Sequence, residues 1–104
     1  MLGIFRRRNT IIDGFAHELA EHLLERFAPE DSRAPPDKKA ERKLGRALDD
    51  LHSQALEFRQ AQKLGVYGKA RLGNTFKWAL EERGYDKAFI EEVTRGLVVR
   101  LSGR

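Results

Sequence analysis

The chain has 104 residues and a mass of 11.9 kDa, enough for one hydrophobic core and too short for two. At 35% charged and 40% hydrophobic residues it has the balance of a folded domain rather than of a disordered segment. It has no cysteine, which excludes disulfides, thiolate metal sites and cysteine nucleophiles, and no apolar run approaches the roughly 20 residues that span a bilayer.

Net charge is +4 and falls in blocks. Residues 1–12 sum to +3, 13–31 to −5, 32–48 to +4 and 49–57 to −3. Residues 58–80 then carry +5 without a single acid, followed by −3 over 81–92 and +3 over 93–104. Patches of this sign suit either a nucleic acid or an acidic protein surface.

In chain order, residues 1–9 read as a basic N-terminal arm. Met1–Arg8 joins a short apolar start to Arg6, Arg7 and Arg8 and has no cleavage signal of a secretory leader. The first helix is expected from Thr10, whose hydroxyl can cap it, to Phe27, with Pro29 as its stop. Ile12, Phe15, Ala16, Leu19, Leu23 and Phe27 share its inner side. Residues 28–37, with Pro29, Pro35 and Pro36, read as a stiff linker and the one candidate hinge.

A longer second helix is predicted over Lys38–Leu64, capped by Asp37 and ended by Gly65, with Leu44, Ala47, Leu48, Leu51, Ala55 and Phe58 inward. It reads as the spine of the fold. The three glycines of Gly65–Gly73 signal a turn or broken segment, after which a third helix runs to Arg83 on Leu72, Phe76, Ala79 and Leu80. Gly84 closes that helix. Asp86 caps a fourth, Tyr85 staples onto Ile90, and Phe89, Ile90, Val93, Leu97 and Leu101 form the core face. No stretch alternates like a strand. The expected fold is all-α, a single domain over 1–104 of about four helices around one long central helix.

The run Leu80-Glu81-Glu82-Arg83-Gly84-Tyr85-Asp86-Lys87-Ala88-Phe89-Ile90-Glu91-Glu92-Val93 resembles the helix–turn–helix repeats of RecX-type recombinase regulators. The resemblance covers 14 of the 104 residues, and no function is carried over from it.

Catalytic motifs are not met. His17-Glu18-Leu19-Ala20-Glu21-His22 spaces its histidines five apart, about 140° around a helix, where a zinc pair needs four. Gly68-Lys69 lacks the earlier glycine and the following hydroxyl of a phosphate loop. Gly65-Val66-Tyr67-Gly68 has the spacing of a KH-type GxxG loop without the strands that fold requires. No serine, histidine and acid set forms a nucleophile elbow. The reading is a non-enzyme with no cofactor and no metal, in a cytoplasmic setting.

One constellation stands out. On a helix beginning near Tyr67, the residues Tyr67, Arg71, Asn74 and Trp78 fall within about 60° of one another, inside the acid-free block. With Arg59, Lys63, Lys69 and Lys77 they form a candidate basic-aromatic face of a small binding or regulatory protein, for which the charge sign favours a nucleic acid as partner. The alternative is a protein–protein adaptor, inhibitor or homo-oligomeric regulator using the same face as a hot spot. Trp78 is the deciding residue, because a core position would remove it from any such face. Val98, Val99 and Leu101 mark a second candidate surface, for a homo-oligomer contact.

Overall fold

The apolar stripes become four helices in the computed structural model, which describes residues 2–103, with side chains from Arg6 onward. These are α1 (Leu2–Arg26), α2 (Lys38–Gln62), α3 (Val66–Glu82) and α4 (Lys87–Ser102), with a short 3-10 helix, Pro29–Arg33, between the first two. No strand occurs among the described residues. Around the bundle α1 packs on α3, α3 on α4, α4 on α2 and α2 on α1, so α2 and α3 stand at opposite corners. The closest packing is that of α3 on α1 and α4. The expected single long central helix is not found: α1 has 25 residues, as α2 does, and α2 occupies a corner of the bundle rather than its centre.

The core follows the periodicity. Ile12, Ala16, Leu19 and Leu23 of α1, Ala47, Leu51 and Ala55 of α2, Leu72, Phe76, Ala79 and Leu80 of α3, and Ile90, Val93, Leu97 and Leu101 of α4 are all buried in one cluster. Phe15, Leu44, Leu48, Phe58 and Phe89 are half-buried at its edge, where Phe15 stacks on Phe58 with ring centroids 4.0 Å apart.

Local chemistry sets the ends. Asp37 accepts a bond from the Ala40 amide at 2.8 Å, and Asp86 from that of Ala88 at 3.1 Å, each supplying an acceptor for an otherwise unpaired helix donor. Gly84 takes the left-handed conformation, φ 87°, that turns the chain from α3 into α4.

Four sequence expectations change. α1 does not begin at Thr10: residues 2–9 are its first turns, and the Thr10 hydroxyl donates back to the Arg6 carbonyl inside the helix. Arg8 of this former arm donates to the carbonyls of Gln62 and Lys63, tying the start of α1 to the end of α2. Met1 and the side chains of residues 2–5, the apolar start of the arm, lie outside the described residues.

α2 is ended by Lys63, not Gly65: Lys63 adopts φ 51°, while Gly65 is the residue before α3. Residues 66–73 are helix rather than a broken segment, and two of their glycines serve close packing. A β-carbon on Gly73 would stand 2.8 Å from a Val98 methyl, and one on Gly68 3.0 Å from the Leu64 side chain. The absent side chains let α3 lie close to its neighbours.

The first half of the proline-rich connection, expected to be a linker, is a 3-10 helix tied to the α3–α4 turn. Ser32 accepts from the Asp86 amide at 2.9 Å, and Arg33 donates to the Gly84 carbonyl at 2.7 Å. Tyr85 is buried, stacks on Phe89 and donates its hydroxyl to the Phe27 carbonyl at 2.5 Å. Burial pushes that phenol up to about 12. These bonds clamp the connection onto the α3–α4 turn.

Candidate functional site

The side of α3 that looks out of the bundle carries the two exposed aromatics. Tyr67 and Trp78 are each 62% exposed, and Asn74 between them is exposed too. Trp78 is therefore not a core residue. The inward side is filled by Leu72, Phe76 and Leu80, which leaves these residues, with Ala70, to face water. Val66 before the stripe is 87% exposed, and on the α4 flank Val98 lies over Gly73.

Of the eight residues predicted to form a basic-aromatic face, the structure brings Tyr67, Arg71, Asn74 and Trp78 to one side of α3. The Arg71 guanidinium, however, is already held. It donates to both oxygens of Asp13 on α1, at 2.9 and 2.8 Å, and to the Tyr67 hydroxyl at 3.0 Å. Thr75 adds a bond to the same carboxylate at 3.0 Å. A bidentate pair fixes the guanidinium plane and neutralises its charge, so Arg71 positions Tyr67 and joins α1 to α3.

Arg59 is also engaged elsewhere. It donates to the carbonyls of Leu101 at 2.7 Å and Gly103 at 2.8 Å, where the last turn of α4 leaves acceptors unpaired. Arg59→Ala is expected to lower stability by about 1.5–3 kcal/mol in denaturant unfolding, the range for bonds to a charged donor. Unchanged stability would show that the cap contributes nothing.

Lys63 is exposed on the turn before α3, next to the Tyr67 end of the stripe. Lys69 and Lys77 are half-buried and project about 180° and about 100° around α3 from Trp78, so neither joins the aromatic stripe. What remains outward is aromatic and near-neutral, with Glu81 and Glu82 beyond Trp78.

The Asp13–Arg71 pair has a pH signature. The two hydrogen bonds from Arg71, with the smaller one from Thr75, hold the Asp13 carboxyl below its ordinary 3.8 against the opposing effect of burial. A depressed carboxylate contributes stability that is fully present above its unfolded value and is lost as pH falls through the folded one. Asp13→Asn should therefore destabilise at pH 7, and its effect should shrink as pH falls from 7 through the acid range and the native carboxyl takes up a proton. Melting temperatures of both forms across that range check this, and equal differences at both ends would contradict it.

Of the second candidate surface, Leu101 is fully buried in the core and cannot contact another molecule. Val99 is 63% exposed and Val98 38%. Helical spacing turns Leu101 inward with Leu97 and leaves the two valines off that face.

Two concavities lie away from α3. A groove of about 710 Å³ between α2, α4 and the proline-rich connection has Leu44, Leu48, Phe89 and Val93 among its lining residues. His52 at its side is disfavoured as a cation, first by burial and then by Arg100. A shallower hollow of about 320 Å³ contains His17, His22 and their neighbouring glutamates. Among the described residues no group of three or more histidines and acids is arranged to hold a metal ion. No helix among them is long and apolar enough to cross a membrane.

Compared with models of protein families, with curated proteins and with solved structures, the chain matches none. Geometry alone therefore carries the functional reading.

Proposed function

We propose that the chain is a non-catalytic binding protein that works as a dimer, two copies meeting through the outer face of α3. The observation that carries this is the exposure of Trp78 and Tyr67 on one face, at 62% each. Large aromatics ringed by near-neutral surface are the residues that most often anchor protein interfaces. Of the five cations expected on this face, Arg71 is bound to Asp13 and Arg59 to the end of α4, while Lys69 and Lys77 project elsewhere around α3, which leaves Lys63 beside the stripe.

A second copy fits because the face complements itself. Tyr67 and Trp78 lie eleven residues apart, about 16 Å along the helix, with Lys63 just before the first and Glu81 and Glu82 just after the second. A two-fold axis near Leu72 and Gly73 sets two α3 helices antiparallel. Trp78 of one copy then meets Tyr67 of the other, and Glu81 and Glu82 meet Lys63, each contact occurring twice. We take the setting to be cytoplasmic, in keeping with a chain that has no cysteine to oxidise.

The charge ends test the register. Lys63→Glu should weaken self-association, measured by sedimentation, because it opposes two glutamates across the axis. Reversing Glu81 and Glu82 to lysine in the same chain should restore it. Association that ignores all three charges would overturn this register.

A further inference from the structure

At the corner opposite α3, the first turns of α2 carry a face that the aromatic stripe does not explain. Lys38, Lys39, Arg42, Lys43 and Arg46 fall within about 140° of the helix circumference, and all five are exposed. None forms an ion pair with a described residue. The one acid of this stretch, Glu41, lies around the helix from them and lines the groove towards α4.

This arrangement works against the helix that bears it. A helix N-terminus carries partial positive charge from its unpaired amides, so cations there are unfavourable. Lys38 and Arg42, Lys39 and Lys43, and Arg42 and Arg46 are like-charged pairs four residues apart, each destabilising. The capping Asp37 and Glu41 offset only part of this. Local rules broken with only partial compensation, from Asp37, Glu41 and the exposed Asp49 one turn beyond Arg46, point to a functional role.

We infer that this face of α2 binds the phosphate backbone of double-stranded DNA, without sequence preference. Five cations on one exposed helix face neutralise successive phosphates. No aromatic residue occurs on the face to stack an unpaired base, which disfavours single strands. No large apolar residue is exposed there to enter a bilayer, which disfavours a lipid surface. The inference goes beyond the dimer and does not depend on it, although a dimer through α3 would turn two such faces outward on opposite sides.

The test is the salt dependence of binding of the full chain to a duplex oligonucleotide of random sequence. Log affinity should fall linearly with log salt, and Arg42→Gln with Arg46→Gln should flatten the slope by about two units. The same pair should melt no lower than the parent, because it relieves repulsion at the helix start. Lys69→Gln with Lys77→Gln on α3 should leave the slope unchanged. The inference is overturned by any of four results: no binding at low salt, a slope that the α2 pair does not alter, equal flattening by the α3 pair, or tighter binding to phosphatidylserine vesicles or a single strand than to the duplex.

Discussion

Phe76→Ala is expected to remove about 3–5 kcal/mol of folding stability, while Trp78→Ala, two residues along the same helix, should change it by less than about 0.5 kcal/mol. Phe76 is the largest of the fully buried side chains and sits where α3 closes on its neighbours. Deleting its ring removes the transfer energy of the buried atoms and leaves a cavity that four packed helices cannot collapse to fill. Trp78 keeps most of its surface in water and has little burial to lose. Denaturant unfolding of the two variants fixes how α3 is rotated. A large loss at Trp78 with a small one at Phe76 would mean that the helix faces the other way.

Leu51→Ala is expected to be nearly as damaging, at about 2–5 kcal/mol. Leu51 is fully buried in the middle of α2, one turn from Ala47 and from Ala55, both small. Leucine supplies most of the apolar volume that this stretch of α2 offers the core. A small domain has a margin of only about 5–15 kcal/mol, so this one change could take a large share of it. A loss below about 0.5 kcal/mol would place Leu51 at the surface and remove α2 from the core as described.

What could be read from the chain was what its neighbours in sequence determine. The stripes of Leu72, Phe76 and Leu80, the cap at Asp86 and the left-handed Gly84 are local features, and each stands where periodicity or capping chemistry put it. The start of α1 was not legible. Arg6-Arg7-Arg8-Asn9 interrupts the apolar residues between Phe5 and Ile11, and Arg8 is held by carbonyls more than fifty residues away. Gly68 and Gly73 misled for another reason: glycine marks turns, but it also permits two helices to approach, and only the packing of Leu64 and Val98 separates the two uses.

The candidate site divides in the same way. That Tyr67, Asn74 and Trp78 share a face follows from helical spacing alone. That Arg71 is bound to Asp13, and Arg59 to the end of α4, depends on contacts 58 and 42 residues apart. The basic face of α2 has its signal in the +4 block of residues 32–48, diluted there by Asp37 and Glu41, whereas the +5 block of residues 58–80 contains no acid. An absence of acids proved a poorer guide than the arrangement of cations around the helix, because fold contacts can occupy a cation as well as a neighbouring acid can.

The most direct test of the α3 dimer is the solution mass of the chain across a concentration series, set against that of Trp78→Ala. Sedimentation equilibrium should give the parent twice its 11.9 kDa at high concentration, falling towards one copy on dilution. The variant should remain a single copy at every concentration while unfolding at the same denaturant midpoint. A parent chain that stays at one copy throughout, or a variant that dimerises as strongly as the parent, would contradict the account.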